Sequence, residues 1–269
     1  MHPVLRFLLG PRVCAIIMSL MLAACVGPGN IAPDKLATVR RVAVVSLVGH
    51  ELTQTYIGFT VFGNEREKYD IRAWNLDAAY EEQAAAELRK LGAFEAVPAL
   101  TDREAFMRLY ANRSGPINPD LIDPEWSAVA APLRELAART RADTIVVALT
   151  RGVQDPIGRS PQWVRGLGVY ARGMGDTTGV AAAHVIVALY AVDPVTLKTL
   201  AMRGLSRPVT REDGTSYAGG LVVARIDATL ARTPFPQWSE EQKAQVRKHL
   251  LEVTGPSWNT TLKSIFGRS

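Results

Sequence analysis

An almost wholly apolar run from Val180 to Val192 limits how this chain can fold more than any other segment. Such a run has to be buried, and its valines and isoleucine favour a strand. Asp193 to Thr196 then supply a turn, with Pro194 suited to its first inner position. Leu197 to Leu205 forms a second apolar segment directly after this turn. The two segments together predict a long antiparallel hairpin.

Other strands are predicted from β-branched or alternating segments bounded by charged residues or glycine. They are a buried first strand at Arg41 to Val48, an alternating strand at Tyr56 to Phe62 with a return arm at Lys68 to Arg72, a short strand at Phe94 to Leu100 and a buried strand at Asp143 to Thr150.

Helices are predicted between these strands from apolar stripes, capping residues and breakers. The segments are Leu76 to Leu91, opened by Asn75 and ended by Gly92; a helix opened by Thr101 and Glu104; Asp123 to Arg141 with a kink at Pro132; and Ser239 to Glu252, separated by Gly255 and Pro256 from a final helix that carries Trp258. The order of elements predicts an α/β fold, a mixed β-sheet with a long antiparallel hairpin, flanked by helices.

Leu22, Ala23, Ala24 and Cys25 follow a basic start and a short apolar segment near the N-terminus. That apolar segment is shorter than the roughly 20 residues that a spanning helix needs. The pattern resembles bacterial lipoprotein signals, and the resemblance implies that Cys25 is acylated and becomes the first residue after cleavage. Val26 in place of an aspartate favours the outer membrane in the same family. The alternative is an ordinary signal peptide in which Cys25 is incidental.

This assignment divides the chain into a lipoprotein signal peptide at 1–24, a tether at 25–37 and one periplasmic α/β domain at 38–269. Proline-rich and glycine-rich stretches predict insertions in that domain near 112–124 and 151–179. The two cysteines are Cys14, which leaves with the signal, and Cys25. The mature chain therefore forms no internal disulfide, and its hydrophobic core has to stabilise it.

The composition and motifs give little support for catalysis or for nucleic-acid binding. A net charge of +5 over 269 residues is too mild for a nucleic-acid interface. His50, His184 and His249 lie on separate predicted elements, without metal-ligand spacing. No Gly-x-Ser-x-Gly motif occurs. We therefore predict no catalytic residue, no metal and no cofactor.

The glycine-rich segment 151–179 carries the residue types that dominate protein interfaces. Trp163, Arg165, Tyr170 and Arg172 are spaced among its glycines. Tryptophan, tyrosine and arginine are enriched in interface hot spots. A phosphate-binding loop is disfavoured because no helix start follows Gly166 and Gly168. Two interpretations stay open, an interaction surface or an arm packed on its own sheet.

From about Tyr80 to Arg207 the chain resembles the periplasmic core of curli secretion channel lipoproteins and related envelope-assembly lipoproteins. The resemblance rests on the helix and strand leading to Phe94 to Val97, the strand entry at Ala142 to Val146, the glycine pairs at Gly166 to Gly175 and the hairpin at Val185 to Leu205. In the channel family, the arm that matches 151–179 supplies membrane-spanning hairpin strands in a ring-shaped oligomer.

A membrane strand alternates apolar and polar residues. In this arm Arg165 shares a side with Leu167, and Arg172 shares the other side with Val164, so neither side is uniformly apolar. We therefore expect an outer-membrane-anchored lipoprotein that faces the periplasm and acts without catalysis as an envelope assembly or accessory factor. Its partner would be an unknown envelope protein or a second copy. The alternative is a homo-oligomeric secretion channel of the curli type, and the third hypothesis is an enzyme of unknown class.

Overall fold

The computed structural model describes residues 29–267, apart from 59–60, 93, 100–101, 112–123, 156, 175–176, 206–208, 211–215 and 218–220. The predicted signal peptide, its Leu22-Ala23-Ala24-Cys25 motif, Thr101 and nearly all of the predicted insertion near 112–124 lie outside the described residues.

Within these ranges, ten strands form one mixed sheet, and two further short strands pair only with each other. The strands are β1 (Arg41–Ser46), β2 (Glu51–Ile57), β3 (Glu65–Asp70), β4 (Glu95–Pro98), β5 (Thr144–Thr150), β6 (Gly152–Gln154), β7 (Trp163–Met174), β8 (Thr177–Asp193), β9 (Lys198–Gly204), β10 (Val209–Thr210), β11 (Ser216–Tyr217) and β12 (Leu221–Arg225).

Strand β8 divides the sheet into two halves because its two ends have different neighbours. Residues 187–193 pair with β5 on one edge and β9 on the other, which gives a lower half in the order β4-β1-β5-β8-β9. Residues 177–186 pair with β7 and β12, which gives an upper half in the order β3-β2-β7-β8-β12. We call the end of the lower half where β1, β4 and β5 begin and β8 ends the base.

Helices cover both faces of the lower half. They are α1 (Pro33–Leu36), α2 (Leu76–Lys90), α3 (Arg108–Ala111), α4 (Ala130–Thr140), α5 (Ala228–Arg232) and α6 (Glu240–Ile265). On one face, α2 and α6 bury residues such as Leu88 and Trp258 against the lower half, and α5 packs against the upper half beside β2 and β7. On the other face, α3 and α4 bury Leu109 and Leu133. The predicted α/β class, a mixed sheet with a long antiparallel hairpin flanked by helices, is confirmed. Among the helices of the described residues, none combines the length and the apolar character needed to cross a membrane.

The predicted hairpin turn is held by its aspartate. Asp193 Oδ1 accepts hydrogen bonds from the amide N–H groups of Val195 and Thr196, at 2.9 and 3.2 Å. Leu197 closes the turn with φ of 56°, in the left-handed region that usually favours glycine. Its amide donates to the carbonyl of Asp193 at 2.8 Å, which fixes this conformation.

The helix break predicted at Gly255 and Pro256 is wrong, because α6 runs unbroken from Glu240 to Ile265. Proline removes one backbone hydrogen bond from a helix interior. Packing against α2 compensates for that loss: the indole of Trp258 donates to Gln83 at 3.1 Å, and Thr254 lies fully buried beside it. Tertiary contacts therefore outweigh the local helix-breaking tendency.

The folded body begins earlier than Thr38, so the last part of the predicted tether, 25–37, belongs to it. Ile31 is 1% exposed, and its amide donates to the carbonyl of Ile265 at 2.8 Å. Lys35, in α1, forms an ion pair of 2.8 Å with Asp193. The start of the described chain is thus fixed to the end of α6 and to the turn between β8 and β9.

The segment 151–179 is not an insertion, contrary to the sequence-based prediction. It forms β6, β7 and the start of β8, and β7 lies between β2 and β8 in the upper half. Beyond the last pair with β2, formed by Ile57 and Arg172, only residues 173–179 remain of this hairpin. The glycine-rich arm is therefore the centre of the upper half, which agrees with the alternative of an arm packed on its own sheet.

We expect Gly168→Ala to destabilise the protein by about 1–3 kcal/mol, because overpacking a tight site strains its neighbours. A Cβ at Gly168 would overlap with the carbonyl oxygen of Thr53 and the ring of His184. The matched control is Gly255→Ala in α6, where a Cβ meets no atom of the described residues within 4 Å. That change should raise stability by about 0.5–1 kcal/mol through helix propensity. Denaturant unfolding measures both, and equal effects would contradict the close packing of β2, β7 and β8.

Candidate interaction surface

The four residues predicted for contact all lie on β7, but the structure separates them. Trp163 is 39% exposed and Arg165 is also exposed, whereas Arg172 is half-buried. Tyr170 is fully buried. It is therefore not available for the surface contact that the sequence predicts. Gly166, with φ of 59°, interrupts the regular alternation of β7 between Arg165 and the buried residues that follow.

Tyr170 is buried because it belongs to a polar network beneath the 155–160 loop. Its hydroxyl donates to Asp155 Oδ2 at 2.7 Å, and the Ser160 hydroxyl donates to the same oxygen at 2.7 Å. The amides of Ile157 and Gly158 donate to Asp155 Oδ1, each at 2.9 Å. Burial alone would raise the pKa of Asp155, but these hydrogen bonds lower it below its ordinary value. Asp155 therefore holds the loop that covers Tyr170.

His184, on β8, is a core histidine, as the apolar sequence around it predicts. It is fully buried, with Nε2 3.4 Å from the carbonyl oxygen of Arg165 and Nδ1 without a hydrogen-bond partner among the described residues. Burial lowers the pKa of His184 to about 4, although the contact with the Arg165 carbonyl acts in the opposite direction. The ring is therefore neutral at physiological pH and stays inside the sheet.

His50 and His249, the other two histidines of the described residues, lie on separate elements. His50 follows β1, with Nδ1 3.0 Å from the carbonyl oxygen of Leu47 and its ring 5.2 Å from that of Tyr110. His249 is half-buried on α6. Within the described ranges, no group of three or more histidine, cysteine, aspartate or glutamate residues could hold a metal ion.

A network of buried charges at the carboxyl end of β1 was not predicted from sequence. Asp77 Oδ1 accepts hydrogen bonds from the Ser46 hydroxyl at 2.7 Å and from the amide of Gly49 at 2.9 Å. Glu81 is fully buried and accepts from Arg103 at 2.9 Å. Burial raises the pKa of Glu81 despite this partner. The signal available in the sequence was the spacing of Asp77 and Glu81, which places both carboxylates on one face of α2.

The connection to β4 crosses one face of the sheet, and the connection to β5 crosses the other. Open α/β sheets usually bind ligands at the carboxyl ends of strands with such connections. At β1, Tyr110 fills this position. The Tyr110 hydroxyl donates to the carbonyl of Leu47 at 2.8 Å and accepts from the amide of Thr150 at 3.0 Å. The crevice between β1 and β5 is closed by a side chain that bonds to both strands.

The surface of the upper half is different, because its edge hairpin exposes large side chains. Phe62, between β2 and β3, is 97% exposed. Arg66, on β3, donates to the carbonyl of Trp163. The Arg232 guanidinium lies 5.1 Å from the ring centre of Tyr56. Thr55 and Tyr56 are neighbours on β2 and point to opposite faces of the sheet, and Arg66 is paired with Thr55. Tyr56 and Arg232 therefore lie on the face covered by α5, and Arg66 lies on the opposite face with Trp163. We call the residues Tyr56, Phe62, Arg66, Trp163 and Arg232, on these two faces and between β2 and β3, the hairpin surface. A groove of about 170 Å³ opens between the β2–β3 hairpin and α5, partly within this surface.

The hairpin is held in place by contacts behind this surface. Gln54 Nε2 donates to the carbonyls of Ala231 and Thr233 at 3.0 and 2.8 Å, and its Oε1 accepts from the amide of Phe235 at 3.0 Å. The ring of Tyr69 stacks on Phe235 at 4.8 Å. A surface held in one arrangement loses less entropy when it binds.

Comparison with known proteins assigns neither a family nor a function to the chain. No protein-family model and no curated protein matches the chain. The chain is similar to a solved dodecamer of a PelC point variant from Paraburkholderia phytofirmans, with 11% identity over 86% of this chain and 92% of that one, at a TM-score of 0.27. It is also similar to the hypothetical protein CT253 from Chlamydia trachomatis, with 11% identity over 85% and 96% of the two chains, at a TM-score of 0.33. Function has to be argued from this chain's own residues.

Because the folded-state pKa of His184 lies below its ordinary 6.5, protonation favours the unfolded chain. The stability contributed by the neutral ring is complete above about pH 6.5 and is lost as the pH falls toward 4, by at most about 3 kcal/mol. The pKa of Asp155 is lowered from its ordinary 3.8, so protonation of Asp155 reduces the free energy of unfolding only below about that pH.

We therefore expect His184→Leu to flatten the fall in unfolding free energy between pH 6.5 and 4.5. Urea unfolding at a series of pH values measures this slope. Parallel curves for the variant and the original chain would show that His184 does not titrate with folding.

Proposed function

We propose that this chain is an outer-membrane-anchored lipoprotein that faces the periplasm and binds a protein partner, as an envelope assembly or accessory factor without catalysis. The observation that carries the binding role is Phe62, a phenylalanine that is 97% exposed between β2 and the charged strand β3. The anchoring role is supported by the sequence motif ending at Cys25.

The composition of the hairpin surface supports protein binding. Tyrosine, tryptophan and arginine are the residue types that contribute most at interfaces, and apolar anchors surrounded by polar residues are the usual arrangement of a hot spot. Here Phe62 is the exposed apolar residue between β2 and β3, and the charged residues Glu65 to Lys68 of β3 follow it closely in the chain. The complementary partner is a protein with an apolar pocket and mixed charges around it.

A second copy of this chain is a less suitable partner for this edge. Strand β3 pairs only with β2 within the described sheet. Its four residues from Glu65 to Lys68 alternate in charge and are all exposed. Charged side chains on an edge strand disfavour pairing with another sheet. Contact through Phe62 and its neighbours is thus favoured over extension of the sheet.

The buried ionisable groups support a binding role over a catalytic one, because each has a structural task. Asp155 holds the loop over Tyr170, Asp77 holds the chain after β1, and Glu81 pairs with Arg103. His184 is enclosed between β7 and β12, where solvent does not reach it.

The test is site-specific photo-crosslinking in the intact cell, with benzoyl-phenylalanine in place of Phe62. We expect one discrete adduct with another protein, and none of that mass from the same probe at Val195, an exposed apolar residue at the base. Charge reversal by Arg66→Glu with Arg232→Glu should reduce the adduct at least about tenfold, as expected for loss of interface anchors.

The matched control is Arg134→Glu, at an exposed position of α4 in the opposite helix layer. It should leave the adduct unchanged, and thermal unfolding should show that all variants fold. Equal adducts from both probe positions, or insensitivity to the double charge reversal, would contradict the proposal. An adduct of twice the chain's own mass would replace the proposed partner by a second copy.

A further inference from the structure

We infer that the base of the sheet is the face that docks on the membrane, against anionic phospholipid headgroups, and that the hairpin surface points away from it. This inference rests on the proposed anchoring at Cys25 and adds the orientation of the domain. It follows from where the described chain begins, from how that start is fixed, and from the side chains at the base.

The anchor is close to the folded body because Gly29 follows Cys25 by four residues. An extended chain covers at most about 3.5 Å per residue, so these residues reach about 14 Å. Ile31 is pinned to the end of α6 through the carbonyl of Ile265. Lys35 is pinned to Asp193, at the end of β8. The lipid chains on Cys25 would therefore lie within about 14 Å of Gly29, which is placed beside the Arg203 guanidinium of β9. With Ile31 and Lys35 fixed toward the base, the base is the side that this reach favours.

The base presents cations to that membrane. Arg40, Arg141 and Lys198 are exposed there, at the beginnings of β1, β5 and β9. Exposed carboxylates lie there too, because Glu95 pairs with Arg41 at 3.0 Å and Asp143 is exposed just before β5, while Asp193 is buried. Asp143 accepts from the amides of Arg40 and Arg41, and Asp193 accepts from Lys35 and from its own turn. Basic side chains near a membrane are attracted to its anionic headgroups.

An apolar side chain lies among these cations. Val195, in the turn between β8 and β9, is 77% exposed. A projecting apolar residue surrounded by lysine and arginine suits the boundary between headgroups and acyl chains. The turn is also rigid, because Asp193 accepts hydrogen bonds from the amides of Val195 and Thr196. The base thus combines an apolar tip, cations and the anchor point.

The orientation fixes the height of the hairpin surface. Strand β8 rises from Asp193 at the base to Thr177. Ile57, the last residue of β2, is aligned through Arg172 with Val180 on β8. At about 3.3 Å per residue, Val180 lies roughly 40 Å above the base. Phe62 follows Ile57 in the chain, so a partner would meet it in the periplasm, well away from the headgroups.

The experiment uses the acylated mature protein in vesicles of phosphatidylethanolamine and phosphatidylglycerol that carry an acceptor dye on a lipid. The sequence's two cysteines are Cys14 and Cys25, so Val195→Cys and Phe62→Cys each give one labelling site in the acylated mature chain. Both positions are exposed, so the labels should leave the fold intact. We expect energy transfer from position 195 to exceed that from position 62 at least about threefold, given the separation along the strands.

Two further arms separate the causes of failure. Cys25→Ala should release the protein from the membrane pellet, and its persistence there would overturn the anchoring on which the proposed function rests. If the protein is anchored but both labels transfer equally, or position 62 transfers more, the inferred orientation is wrong. Vesicles of phosphatidylcholine alone should lower the ratio of the two signals, as should Lys198→Glu with Arg141→Glu. If the ratio of energy transfer from positions 195 and 62 does not change with lipid charge, anionic headgroups are excluded as the docking partner.

Discussion

The pairing of β8 along both of its edges is the constraint on which the rest of the fold depends. Its lower residues join β5 and β9, and its upper residues join β7 and β12. Residues 182–192 of β8 are buried, which explains why this part of the strand is almost wholly apolar. Elsewhere the chain crosses the two halves with two separate strands in place of one. These strand pairs are β1 with β2, β5 with β7, and β9 with β12. Of the strands in the described part of the chain, only β8 runs through both halves without a break.

Aspartate side chains hold the chain in place at the ends of these strands. Asp77 accepts amide hydrogen bonds from the chain after β1, and Asp143 accepts them from the start of β1. Asp155 does the same for the loop between β6 and β7, and Asp193 for the turn after β8. A carboxylate that accepts several amides both satisfies buried backbone donors and restrains a loop. Aspartates that could be mistaken for catalytic carboxylates in the sequence therefore stabilise the backbone in this fold.

Local sequence patterns predicted the strands and helices that are determined by interactions between neighbouring residues in the chain. The hairpin of β8 and β9 was evident from its apolar run and Asp193-Pro194 turn, and α2 from its stripe and the glycine at position 92, whose φ is 72°. Contacts between segments that are distant in the chain could not be predicted from the sequence. The burial of Tyr170 depends on a loop that folds back over β7, and the unbroken α6 depends on its packing with α2. The exposure of Phe62 likewise follows from tertiary placement and has no signature in the sequence.

Native-state amide hydrogen exchange along β8 tests the central claim most directly, because it reports the free energy at which each part of a strand opens. If β8 unites the two halves, the amides that pair with β7 near Ala183 and those that pair with β5 near Leu189 should exchange only through global unfolding, with the same free energy. Exchange of the upper residues at a clearly lower free energy than the lower ones would show two independent units and would contradict this account.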